Sequence, residues 1–221
     1  MARRSHASAT RTPLSRERVL RAAIALVDGG GIKALSMRKL AQELGVEAMS
    51  LYNHVANKDD ILDGIVDLVA TEIDLAPDGV DWKAAMRRRV ISAHEVLSRH
   101  AWAASLWMSS STFGSARMRY ADAVLRGLRE AGFSEDLTYH GFHVLQSHVM
   151  GYTLHEQGFE FDAQELKELA AAFLRDFPAG EYPDLAEHIR QHIEPRDEHK
   201  DAFQFGLDLI LDGLERLRDT A

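Results

Sequence analysis

Residues 36–55, SMRKLAQELGVEAMSLYNHV, constrain the fold more than any other stretch of the chain. Two short helices cross closely only where the first carries a small side chain, and Ala41 supplies one. The turn after it needs a residue that tolerates positive φ, and Gly45 stands four positions later. Leu40, Leu44, Val46, Leu51 and Val55 then fill the small core between the two helices. The spacing predicts a helix-turn-helix: Ser36 caps a helix over 37–44, Gly45 breaks it, and the next helix starts at Glu47. The outward side of that helix offers Ala48, Met49, Ser50, Tyr52 and Asn53, which are small, apolar or hydrogen-bonding groups suited to base edges and thymine methyls. Arg38, Lys39, His54 and Lys58 surround it as candidate phosphate contacts, and Lys58 begins a helix whose free N–H groups attract phosphate. An αα-hairpin with an unremarkable turn is the alternative reading of the same residues.

A formal charge of -8 argues against a polyanionic partner until its distribution is considered. Residues 1–58 hold 10 of the 26 Lys and Arg but only 4 of the 34 Asp and Glu, a net of +6, which leaves -14 on the remaining residues. A basic front on an acidic body presents one face to a polyanion and turns the rest away. Cysteine is absent, which excludes a disulfide scaffold, a thiolate zinc site and a thiol nucleophile. No apolar run reaches membrane-spanning length, and residues 1–14 are basic and polar without a signal-like apolar segment, so a cytoplasmic protein is expected.

Helical periodicity runs through the whole chain, and no alternating strand pattern competes with it. The expected fold is all-α, with an N-terminal three-helix helix-turn-helix domain and a larger C-terminal helical domain. The division predicted is a disordered basic arm over 1–14 carrying Arg3, Arg4 and Arg11, a front domain with its connecting helix over 15–74, and a second domain over 75–221. Pro77, Asp78 and Gly79 mark the boundary. Predicted helices cover 15–28, 37–44, from 47, 57–74, 81–99, 102–108, 115–131, 134–158, 162–177 and 200–218. A segment punctuated by Pro178, Pro183 and Pro195 separates the last two. Across 137–155 there is no Asp, Glu, Lys or Arg over 19 residues, about 28 Å of helix, and a helix so poor in charge must be covered on most sides.

The segment SMRKLAQELGVEAMSLYNHVANKDDIL resembles the DNA-binding domain of the tetracycline-repressor (TetR) family, through Leu51-Tyr52, His54-Val55, Asn57-Lys58 and the following Leu62. The likeness continues in EAGFSEDLTYHGF and in FQFGLDLILDGLERL at 203–217. It implies a homodimer that represses a promoter and releases it when a small effector enters the larger domain. The resemblance places DNA contacts on Arg38, Ala48, Met49, Ser50, Tyr52, His54 and Lys58. Tetracycline repressors carry a glutamine at the position of Ala48, a proline at Met49 and a tryptophan at Asn53, so a different operator sequence is implied. Their drug-gripping histidine aligns near Ile73 and Asp74, and their metal-holding acidic residue falls at or beside His155. A magnesium-tetracycline site is therefore poorly supported, although His100 stands about where the metal histidine would be.

A small-molecule cavity needs apolar walls and a few convergent polar groups. The expected lining is His94, His100, Trp102, Trp107, Tyr120, Val124, His140, His143, Ser147 and His155, on helices taken to face inward. The alternative is an ordinary bundle core with hydrogen-bonded histidines. His140 and His143, one turn apart with Glu156 nearby, invite a metal reading, but no recognised ligand set accompanies them, and neither a metal nor a cofactor is expected. Ser147 with Gly151, and Gly206 with Gly213, permit close helix approach, so a homodimer is expected through helices at about 135–157 and 200–218. No ordered triad or carboxylate dyad supports an enzyme. The expected partners are a double-stranded DNA operator, an unidentified small-molecule effector and a second copy of the chain. The alternative is a DNA-binding or architectural protein without sequence preference or effector.

Overall fold

The computed structural model describes residues 13–75, 81–110, 112–158, 163–191, 193 and 201–220, and among them every regular element is helical. The elements are α1 (Arg16–Gly30), a 3-10 turn (Ile32–Ala34), α2 (Met37–Leu44), α3 (Ala48–Leu51), α4 (Lys58–Ala70), α5 (Trp82–Arg99) and α6 (Ala103–Ser109), followed by α7 (Ser115–Glu130), α8 (Glu135–Gln157), α9 (Ala163–Arg175), α10 (Pro183–Arg190) and α11 (Ala202–Thr220). The expected basic arm with Arg3, Arg4 and Arg11, the turn at Pro77 to Gly79, and Asp162, Pro195 and Lys200 lie outside the described residues.

Side-chain caps fix most helix starts, because each satisfies a backbone N–H that has no partner in the first turn. Ser15 accepts from the Arg18 amide, Ser36 from Lys39, Asn57 from Asp60 and Ser134 from Leu137, at 2.8–3.2 Å. The Asp81 carboxylate accepts from the Ala84 amide at 2.9 Å. Several elements depart from the sequence expectation, α4 by ending at Ala70 rather than at 74. Helix α1 continues through Gly29 and Gly30 and stops only at Gly31, whose φ of 68° turns its N–H back onto the Val27 carbonyl. Helix α3 is a single turn, four residues long. Helix α10 falls in the segment expected to be broken by prolines. Pro183 instead opens it, since the first helical position has no use for the N–H that proline lacks.

Packing divides the chain into two compact units. The first is Met1–Ile73 with Arg99–Tyr120, so it gathers more than the chain-order front segment. Within it α1 packs on α2 and α4, α2 on α3, and α4 on α6. Val19, Ala23, Leu35, Leu40, Leu51, Ile61, Ile65 and Trp107 are buried there.

The second unit is Asp74–Ser98 with Ala121–Ala221. In it α8 packs on α11, and α9 on α10. Helix α8 buries Thr138, Gly141, Leu145, Val149, Met150 and Thr153. Gly141 is required by close approach: a β-carbon there would stand 3.2 Å from Leu128 and 3.4 Å from Leu214. Covering on most sides does not occur in the single chain. Tyr139, His140, His143, Val144, Ser147, Gly151 and His155 form an exposed strip along α8, the i, i+4 repeat of one helix face. No helix among the described residues is long and apolar enough to cross a membrane.

Candidate nucleic-acid interface and effector-domain residues

The turn after α2 is set by Gly45, at φ 64° and ψ 38°, the left-handed conformation that closes a helix C-terminus. The Gly45 amide returns to Gln42 at 3.2 Å and the Val46 amide to Ala41 at 3.0 Å. Ala41 is buried at the crossing, and Leu40, Leu51 and Val55 close the core beneath. With Leu51 turned inward, the opposite side of α3 faces solvent. Met49 is 76% exposed and Tyr52 47% exposed, so both side chains are accessible to a partner. Asn53, Arg38, Lys39 and Lys58 are exposed, while Ala48, Ser50 and His54 are half-buried. All nine candidate DNA contacts thus belong to one unit, on α2, α3, the turn after α3 and the first residue of α4.

One turn of helix is not a stable element by itself, and its mooring comes from residues far from it in the chain. Arg16, at the start of α1, donates to both carboxylate oxygens of Asp60 at 2.8 and 2.6 Å, and to the His54 carbonyl at 3.2 Å. Asp60 also accepts the Ala56 amide at 2.8 Å. The arrangement clips the chain leaving α3 to the first and fourth helices. The Arg16 hydrogen bonds hold the Asp60 carboxyl below the usual carboxylate range, and Asp60 in turn raises Arg16. A depressed carboxyl contributes stability that is complete above its unfolded pKa and is lost as pH falls through the folded value. Asp60→Ala is expected to cost about 1 kcal/mol at neutral pH, modest because the pair is half-exposed. It should also flatten the acid limb of the melting temperature plotted against pH.

Further along α4, two carboxylates organise the segment that enters α7. Asp63 accepts the hydroxyls of Ser110 and Thr112 at 2.7 and 2.6 Å, and these bonds lower its pKa. Asp67 accepts the Ala116 and Arg117 amides at 3.0 Å, acting as the cap of α7 from 49 and 50 residues away. Gly114 makes that approach possible, since a β-carbon there would fall 2.1–2.5 Å from the Asp67 carboxylate.

The residues proposed for an effector cavity are divided between the two units. His100 and Trp102 both reach Asp28, at 2.9 and 2.7 Å, the indole N–H donating. Trp107 and Tyr120 are buried edge to face, 5.8 Å apart. In the second unit Val124 is buried, and His94 stacks on Phe203 at 3.8 Å with Nδ1 3.0 Å from the Thr153 hydroxyl. Glu156 lies 3.3 Å from its other nitrogen, yet burial outweighs that attraction and pushes the imidazole pKa down. His140, His143, Ser147 and His155 face solvent rather than inward, because they occupy the open strip of α8. His140 sits 3.6 Å from Asp136, and His143 donates to the Tyr139 carbonyl at 2.8 Å. Among the described residues no group of three or more His, Asp or Glu is placed to hold a metal ion.

Residues 19–65 match the family described as bacterial regulatory proteins, tetR family, and residues 76–218 match the tetracyclin repressor-like C-terminal domain. The chain is 30% identical over 214 residues to the HTH-type transcriptional repressor DrrR1 of Streptomyces coeruleorubidus, covering 92% of this chain and 78% of that protein. It is 31% identical over 214 residues to the class A tetracycline repressor of transposon 1721 from Escherichia coli, covering 94% and 93%. Among solved structures, the Streptomyces coelicolor protein ActR in complex with actinorhodin superposes with a TM-score of 0.75 at 27% identity, over 94% of this chain and 99% of that one.

Proposed function

The chain belongs to the tetracycline-repressor (TetR) family of transcriptional regulators, and from that premise we propose a homodimeric repressor that binds a near-palindromic operator and leaves it when a small effector binds. The observation that carries the reading is the outward side of α3, where Met49 and Tyr52 stand exposed while Leu51 locks the helix to its core. Ala48, Met49, Ser50, Tyr52 and Asn53 face base edges in a major groove, and Arg38, Lys39, His54 and Lys58 hold the flanking phosphates. Residues 15–74 serve DNA and 75–221 serve effector and dimer, with Arg3, Arg4 and Arg11 of the arm over 1–14 adding phosphate contacts. Such a protein works in the cytoplasm, with the DNA it regulates. Titration of the full chain against duplex from its own upstream region tests the reading. The logarithm of affinity should fall by roughly 0.9 per neutralised phosphate for each unit of log salt, and a flat salt response would oppose it.

The dimer uses α8 and α11. Their packed pair leaves an open strip on α8, with Ser147 and Gly151 as its small residues, and exposed Phe205 and Leu209 on α11. Two such pairs form a four-helix bundle that buries what the single chain leaves wet. Gly151 is the sharpest probe, because a β-carbon there meets nothing within 4 Å in the single chain. Gly151→Glu should leave the protomer folded while sedimentation shifts from twice 24.7 kDa towards 24.7 kDa. An unchanged dimer mass would place the interface elsewhere.

The similar ActR binds actinorhodin, which supports a small-molecule effector here as well. Helix α4 is the proposed lever, since Asp63 and Asp67 tie it to the segment entering α7 while Asp60 ties it to the residues after α3. Coupling of about 1–3 kcal/mol between effector and operator suffices for release. Within the first unit His100, Trp102, Trp107 and Tyr120 are the proposed effector residues, and within the second, taken by itself, His94 and Val124. His140, His143, Ser147 and His155 contribute once a second chain covers α8.

A further inference from the structure

A recess of about 500 Å³ opens in the first unit between α4 and the residues leading into α7, with Asp60, Asp63, Asp67, Thr112, Phe113 and Arg117 in its wall. Three of its carboxylates are already engaged. Asp60 takes Arg16 and the Ala56 amide, Asp63 takes two hydroxyls, and Asp67 takes two backbone amides. Its donors are not. The Arg117 side chain is 1% exposed, and its Nε, Nη1 and Nη2 have no hydrogen-bond partner. The nearest carboxylate oxygen, on Asp67, lies 3.8 Å from Nε, beyond hydrogen-bond reach. A buried guanidinium without acceptors is costly, and its retention in the wall of a recess marks a place for an acceptor from outside.

The surroundings select that acceptor. Asp59, Asp60, Asp63 and Asp67 outnumber Arg16 and Arg117 around the recess, so an anion is opposed by the local field. A carbonyl oxygen meets the same donors without that opposition. The Phe113 ring lies 5.9 Å from the Arg117 guanidinium carbon and is 68% exposed, which gives a flat ligand a face to stack on. We propose that this recess is a ligand site for an uncharged aromatic molecule whose carbonyl oxygen accepts from the Arg117 guanidinium. The site goes beyond the regulator reading and stands whether or not the chain represses a promoter.

Three probes of one shape and different charge test it on the full-length protein: benzamide, benzoate and benzamidinium, followed through the arginine side-chain NMR signals. Benzamide should shift the Arg117 Nε–H signal saturably, benzoate should bind more weakly, and benzamidinium should leave that signal in place. In Arg117→Met, benzamide binding followed by ligand-detected NMR should weaken about tenfold or more, as expected for loss of a charge-assisted hydrogen bond. Phe113→Ala, on an exposed side chain, should weaken it while the fold persists. An unmoved Arg117 signal, equal binding to Arg117→Met, or preference for benzamidinium overturns the proposal. Failure of Arg117→Met to fold would do the same, by showing that the guanidinium serves the core.

Discussion

Replacing Tyr52 and Lys58 together by alanine is expected to lower operator affinity by at least thirtyfold without changing the melting temperature by more than a degree or two. The two side chains are exposed, so neither supports the core, and surface truncations usually stay within about 0.5 kcal/mol of stability. In the proposed DNA complex the same atoms are covered. A good base-edge contact contributes about 1–3 kcal/mol, and a two-fold complex would make it twice, so a loss of about 2 kcal/mol or more is expected from Tyr52 if the proposed complex forms. In the same proposed complex Lys58 meets a phosphate in each half, and its loss should reduce the salt slope as well as the affinity. Fluorescence anisotropy on a fixed operator at two salt concentrations separates these effects. Undiminished affinity in the double variant would remove the outward side of α3 from the interface.

The second large effect belongs to the second unit. Phe203→Ala is expected to destabilise it by about 3–5 kcal/mol, because the ring is fully buried and holds two imidazoles in stacked contact. His94 lies against one side of the cluster, and His148 donates to the Phe203 carbonyl at 2.9 Å. Burial lowers the His94 pKa below its unfolded value, so the unfolded chain takes up a proton first as pH falls. Stability from the neutral ring is complete above about pH 6.5 and declines as pH drops towards the folded value. Glu156, Asp201 and Glu95 oppose this decline and His148 reinforces it. Calorimetry across pH 7.5 to 5.5 should show the melting temperature falling in the parent, with the slope reduced in His94→Gln. A parent curve that rises as pH falls would reverse the assigned sign.

Much of this architecture could be read from local sequence. Ser36, Gly45 and Asn57 punctuate the front helices by chemistry that acts within a few residues, and the structure uses each as expected. The helix inventory followed from apolar periodicity for the same reason. What escaped depends on distance along the chain. Arg16 and Asp60 are 44 residues apart and Asp67 caps a helix 49 residues away, so neither partnership leaves a local pattern. Helix α10 was hidden because Pro183 carries the same letter whether it breaks a helix or begins one. The exposure of the α8 histidines was not legible either, because a charge-poor helix with polar groups suits a cavity wall and an uncovered face alike. Absence of charge says that a face can be covered, and it does not say by which chain.

Selection from random duplex DNA tests the central claim most directly, since it requires both the outward α3 and its presentation twice per assembly. The full-length protein should enrich an inverted repeat whose half-sites lie one helical turn, about 34–36 Å, or a multiple apart. Enrichment of no sequence, or of a single unpaired half-site, would contradict the account.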